Sequence, residues 1–165
     1  LFIAGQPIDK VDHFKYLGTI FSSSLKWHEN SDCINGKLRS RFYAFSKFKQ
    51  FKPSQSQKDH FIRTLIFPIL TYNIELWHFS STVKERTKLL KHFDRNNFAV
   101  DMNTFVTGRI NKLANNIIGS DNHILNDCKS CPRKQYLLPR RVRTNRFLQS
   151  FIPRSIKVLN SSAFL

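Results

Sequence analysis

The sequence predicts a mainly α fold, with an N-terminal β-hairpin, a bundle of three to four helices, and a basic, partly irregular C-terminal tail. Three observations carry this prediction. Leu1 to Phe21 is rich in β-branched and aromatic residues and is punctuated by glycine and proline. From Asn30 to Ile118 apolar residues recur every three or four positions. From Lys129 to Leu165 the chain holds nine Lys or Arg and no acid. The expected organisation is therefore residues 1–28 as the hairpin, 29–121 as a helical domain, and 122–165 as a basic segment.

In the first element, Leu1-Phe2-Ile3-Ala4 reads as a strand, Gly5-Gln6-Pro7 as a turn, and Val11 to Phe21 as the continuation of a hairpin or small meander. The opening Leu-Phe-Ile reads as a strand of something larger. In Phe14-Lys15-Tyr16-Leu17-Gly18, aromatic rings flank a cation and run into a glycine that permits a turn or a close backbone approach. Such a strand can press ring faces on sugars or bases while Lys15 meets a phosphate. It also reads as an ordinary hairpin whose Phe14, Leu17 and Ile20 fill a core.

The first helix carries Ile34, Leu38, Phe42, Phe45 and Phe48 on one stripe, with Arg39 and Lys47 on the opposite side and Arg41 snorkelling from the apolar side. Pro53-Ser54 ends it, and Ser54 with Gln57 forms a capping box for the second helix. That helix is expected to present Phe61, Leu65, Ile69, Tyr72 and Leu76, kinked at Pro68. Thr82 with Glu85 is a second capping box, opening a third helix through Leu89, Leu90 and Phe93. A fourth helix, Phe105 to Ile118, has Val106, Ile110, Leu113, Ala114, Ile117 and Ile118 as its apolar side and Gly119 as its stop. In the tail, Phe147, Phe151, Ile152, Ile156, Val158 and Leu159 could dock on the helices.

At 165 residues, the chain is long enough to bury a core. Its 27 Lys and Arg against 11 Asp and Glu leave a formal charge of +16, which implies a polyanionic partner, nucleic acid above all. A peripheral basic membrane-binding domain is the rival. A membrane span is not expected, because Phe61 to Phe79 is interrupted by Arg63, Pro68, Asn73, Glu75 and His78. Three cysteines and no recognisable secretory signal suggest a reducing, intracellular compartment.

Catalytic machinery is not evident. Cys128 and Cys131 stand at metal-ligand spacing with His123 upstream, but only Cys33 and scattered histidines could complete a zinc site, so two unrelated thiols are expected. The carboxylates Asp59, Glu75, Glu85, Asp94 and Asp101 are scattered singly, whereas a two-metal polymerase or nuclease clusters them. Neither a metal nor any other cofactor is expected in this segment. Arg140-Arg141-Val142-Arg143-Thr144-Asn145-Arg146, interleaved with Tyr136, Phe147 and Phe151, suits phosphate contacts and stacking on unpaired bases. The same run also reads as a solvated basic face or a targeting signal.

The order of these motifs resembles the C-terminal part of reverse transcriptases from non-LTR retrotransposons of the LINE type, in particular the jockey-related lineages. The matching series begins with Ile8 to Phe21, then Leu25-Lys26-Trp27-His28 and the basic stretch Lys37-Leu38-Arg39-Ser40-Arg41. It continues with Leu65 to Trp77, Lys112 to Ile118 and His123-Ile124-Leu125, and ends with Leu137 to Arg146 and Ser150 to Asn160. The resemblance implies a primer grip at residues 8–21 and a thumb around Leu65 to Trp77. It implies an RNA template and a DNA primer as partners, together with the palm and fingers of the parent polymerase.

By the same resemblance, Phe14, Tyr16, Leu17 and Gly18 would meet the primer terminus, with Lys15 near phosphate. Lys37, Arg39 and Lys47 would line the duplex, and Arg140, Arg141, Arg143 and Arg146 would hold RNA. The palm aspartates and the magnesium they bind in the parent family have no counterpart here, so this chain alone is expected to grip rather than catalyse. The compartment implied is a nuclear or cytoplasmic ribonucleoprotein. A degenerate or domesticated fragment serving as a non-catalytic interaction module is the alternative.

Overall fold

A computed structural model describes residues 2–3, 6–7, 9–118 and 153–157. It is mainly helical, with antiparallel hairpin elements ahead of the helices. Two compact units form: Leu1–Asn73 with Ser81–Phe98, and Ile74–Ser80 with Ala99–Leu165.

The first unit opens with β1 (Phe2–Ile3) paired antiparallel to β2 (Gln6–Pro7), so Gln6 and Pro7 are strand residues rather than the expected turn. Next, β3 (His13–Tyr16) pairs with β4 (Thr19–Ser22) in the register His13↔Ser22 to Tyr16↔Thr19. Leu17 and Gly18 form the two-residue reversal, both with positive φ (44° and 83°), as tight hairpin turns that match strand twist require. Thr19 and Ser22 are buried, whereas every residue of β3 is exposed. Phe14 and Leu17 therefore do not fill a core, because nothing in the unit covers that side of the hairpin.

A loop bound by the Ser22 hydroxyl, which donates to the Lys26 carbonyl at 2.9 Å and accepts from the Lys26 amide at 3.0 Å, leads into α1 (His28–Phe48). The predicted stripe is the observed one: Ile34, Leu38, Phe42 and Phe45 are buried, and Arg39 and Lys47 are exposed. Arg41 is also exposed outright, because it sits at the margin of that stripe instead of within it. A 3₁₀ turn, Lys49–Phe51, and a left-handed Lys52 end the helix.

Both halves of the Ser54/Gln57 capping box are formed at α2 (Gln55–Phe61). The chain then makes a π-helical turn, Ile62–Ile66, in which the Phe67 amide donates to the Ile62 carbonyl five residues back, before α3 (Phe67–Thr71). The kink expected at Pro68 takes this form. Proline has no N–H for the regular ladder, and one wider turn absorbs the mismatch. Ile62, Ile66 and Leu70 face the core, each one position past the expected Phe61, Leu65 and Ile69, while Leu65, Tyr72 and Leu76 of the expected stripe are exposed. Asn73, left-handed at φ 48°, ends this stretch, so the expected second helix is not continuous to Leu76.

α5 (Val83–Asp94), opened by the Thr82/Glu85 capping box, lays Leu89 and Phe93 against α1. Phe93 meets Phe42 edge to face at 5.1 Å, a preferred aromatic geometry. Each such side chain contributes about 1.5–3 kcal/mol by leaving water.

In the second unit, the short α4 (Ile74–Trp77) packs on α6 (Met102–Ile118). Asp101 caps α6, its carboxylate accepting from the Asn103 and Thr104 amides at 3.1 and 3.2 Å; the helix therefore starts three residues before the expected Phe105. Val106, Ile110 and Ala114 are buried, but Leu113 is exposed. The buried Glu75 forms an ion pair with Arg109, and His78 Nε2 bonds to Asn103 Oδ1 at 3.1 Å. A helical turn at 153–157 belongs to this unit, with Ile156 buried as expected and the Arg154 guanidinium 3.2 Å from the Phe79 ring centre. Gly119, the expected stop of α6, lies outside the described residues.

Candidate nucleic-acid interface

The β3–β4 hairpin presents the sequence-predicted residues in one place. Because alternate residues of a strand share a face, Phe14 and Tyr16 stand side by side, their rings nearly parallel at 6.3 Å, each 58% exposed. Lys15 points to the other face of the same strand. Leu17 projects from the tip, its left-handed backbone costing about 1–2 kcal/mol in a residue with a Cβ.

Residues of the α3–α4 turn secure the tip. The Tyr72 hydroxyl donates to the Leu17 carbonyl, and Asn73 Nδ2 donates to Thr19 Oγ1 at 2.9 Å. From α1, Asn30 Oδ1 accepts the Ile20 amide at 3.1 Å. Gly18 is closed in by the same tyrosine, since a Cβ there would stand 3.4 Å from the Tyr72 ring.

Beneath the tip runs a groove of about 530 Å³, with Leu17 and Gly18 at one rim, Pro68, Ile69 and Tyr72 opposite, and Lys37 supplying its one charged side chain. The groove is mostly apolar with a few polar groups, the usual make-up of a ligand-binding concavity. It unites Leu17, Gly18 and Lys37 of the predicted set.

The other predicted cations separate. At about 100° per residue, Lys37 and Arg39 lie about 160° apart around α1. Arg39 instead reaches toward α5, where burial of the ring, then the charges of Arg95 and Arg39, hold His92 below its ordinary value. His92 Nε2 bonds to Asn35 Oδ1 at 2.8 Å, and its ring stacks on Phe42. Lys47 lies between the two, about 80° around the helix from each, with its ammonium 5.6 Å from the Tyr43 ring centre. Lys37 and Arg39 thus serve different surfaces, with Lys47 between them, and the three do not form one duplex-lining row.

Sequence reasoning missed Tyr72 and Asn73 as supports of the hairpin, because nothing local ties them to residues more than fifty positions earlier. It also missed Tyr43 and Phe51, both strongly exposed. Their signal was present: each follows a predicted cation by four residues, Tyr43 on the polar side of α1 and Phe51 in the 3₁₀ turn after it. Arg140, Arg141, Arg143 and Arg146, together with Cys128, Cys131 and His123, lie outside the described residues.

Among the described residues, no three His, Cys, Asp or Glu side chains are grouped to hold a metal ion, and no helix is long and apolar enough to cross a membrane. No family model matches this sequence, and no curated protein or solved structure matches it either.

Proposed function

We propose that this chain is the nucleic-acid-gripping part of a LINE-type reverse transcriptase, binding template RNA and its primer through the β3–β4 hairpin and the groove beneath it. The observation that carries the reading is the exposed, mutually stacked pair Phe14 and Tyr16 on a hairpin whose tip is bound at Leu17 and Thr19. Two large rings left in water are costly for a folded chain, and a rigid pair of ring faces is a platform on which bases or sugars stack. Lys15 on the strand and Lys37 in the groove supply charge for phosphate, within a chain of net charge +16.

In this reading chemistry and its magnesium belong to the palm of the same polymerase, and the palm and fingers are the protein partners. The basic run Arg140 to Arg146 adds contacts to RNA, and the working compartment is that of a ribonucleoprotein.

The test is filter binding of the purified chain to an RNA–DNA hybrid over a salt series. The reading expects affinity that falls steeply and log-linearly with salt. It also expects a Phe14→Ser/Tyr16→Ser variant to lose at least tenfold in affinity while keeping its helical signal and melting temperature. Absence of salt-dependent binding by the unaltered chain would overturn the proposal.

A further inference from the structure

Arg39, Tyr43 and Lys47 on α1 and Phe51 in the 3₁₀ turn that follows it recur at successive intervals of four residues, a row of cation, ring, cation, ring spanning about 20 Å at about 1.5 Å per α-helical and about 2.0 Å per 3₁₀ residue. All four are exposed, Tyr43 at 66% and Phe51 at 83%. The row ends at the 3₁₀ turn, where left-handed Lys52 turns the chain away and leaves the Phe51 ring standing free of the core.

An ordinary solvated helix face offers a different pattern, with acids and bases interspersed and rings turned inward. Here, between Asp32 and Asp59 there are seven Lys or Arg and no acid. Among the described residues, neither Arg39 nor Lys47 has a carboxylate within ion-pair distance. At one end of the row the pKa of His92 is lowered, first by burial of the ring and then by the positive charges of Arg95 and Arg39. A polyanion with exposed ring faces matches both halves of this surface.

Building on the proposed nucleic-acid role, we infer that this row is a second contact and that its partner is a single strand: unpaired bases stack on Tyr43 and Phe51 while phosphates meet Arg39 and Lys47. A duplex does not satisfy the rings, because its base faces are already stacked on one another. The hairpin and the row are therefore distinct surfaces, the first at the N-terminal end of α1 and the second along its C-terminal half.

The experiment measures fluorescence anisotropy of the full chain with a labelled 12-nucleotide oligouridylate, a blunt duplex of the same length, and an abasic strand of equal charge. The expected result is tighter binding to oligouridylate than to the abasic strand. Tyr43→Ala/Phe51→Ala should weaken oligouridylate binding at least tenfold and leave duplex and abasic binding within twofold, in keeping with the sequence-tolerant strength of base–aromatic stacking. Tyr43→Phe and Phe51→Trp should restore it. Arg39→Gln/Lys47→Gln should instead lower the salt slope on the single strand by about 1.4, at about 0.7 per lost phosphate contact.

Equal affinity for oligouridylate and the abasic strand, or an unchanged oligouridylate affinity in the ring variant, would overturn the inference and leave the hairpin reading standing. If the Phe14→Ser/Tyr16→Ser variant lost oligouridylate binding and the Tyr43→Ala/Phe51→Ala variant kept it, the row would be excluded as a contact. Absence of all salt-dependent binding would remove both. Because both rings are exposed, retained circular dichroism and melting temperature are the check that a loss is not unfolding.

Discussion

The Tyr72 hydroxyl donates a hydrogen bond to the carbonyl of Leu17, fifty-five residues earlier, and so pins the reversal of the β3–β4 hairpin to the end of α3. A two-stranded hairpin is marginally stable by itself in water. Its ordered tip is therefore a property of the tertiary structure, in which Tyr72, Asn73 and Asn30 hold three successive points around the turn.

Tyr72→Phe removes the hydroxyl and keeps the ring. The expected cost is about 1 kcal/mol of stability, the usual net worth of one hydrogen bond. Faster hydrogen exchange at the hairpin amides, compared with those of α1, is the measurement that localises it. Uniformly faster exchange would mean that the bond stabilises the whole unit and not the tip.

Gly18 and Leu17 separate conformation from contact. Gly18→Ala places a methyl on a backbone with φ 83° and against the Tyr72 ring, so a loss of about 1–2 kcal/mol is expected. Leu17→Gly relieves the left-handed strain and deletes an exposed apolar tip. Denaturant unfolding should show it at least as stable as the unaltered chain, while hybrid binding falls if Leu17 touches the ligand.

Neighbouring residues of the π-helical turn are unequal. Ile66→Ala, at a fully buried site, should cost about 2–5 kcal/mol, whereas Leu65→Ala, half exposed, should stay within about 0.5 kcal/mol. Urea midpoints for the two variants decide it, and equal losses would contradict the observed phase.

His92 confers a pH dependence of definite sign. Its folded pKa lies below 6.5, chiefly because burial disfavours the charged ring, with Arg95 and Arg39 adding to the effect. The unfolded chain therefore takes up the proton first. Stability is full above the ordinary value and falls as pH drops from about 7 through the folded pKa. Denaturation midpoints between pH 5 and 8 should show this slope, and His92→Asn should flatten it.

The helices and their beginnings were legible in the sequence because they depend on near neighbours. Ser54 with Gln57 and Thr82 with Glu85 cap the helices they precede, and the stripe Ile34, Leu38, Phe42 and Phe45 is the buried face of α1. The exposure of Phe14 and Tyr16 was one of two readings the sequence left open, and that of Tyr43 and Phe51 was signalled only by their spacing from Arg39 and Lys47; packing decided both.

By itself, then, the sequence determined the helical class, the capping boxes, the break at Pro53-Ser54 and the excess of positive charge. All of these follow from interactions within a few residues or from composition. Only the tertiary structure decided which face of the Ile62 to Thr71 stretch points inward, that Tyr72 holds Leu17, and that Lys37 lines the groove beneath the hairpin. Periodicity states which residues share a face, but it does not state which face finds a partner. That choice is made by long-range packing, which buries Ile62, Ile66 and Leu70 in place of the expected Phe61, Leu65 and Ile69.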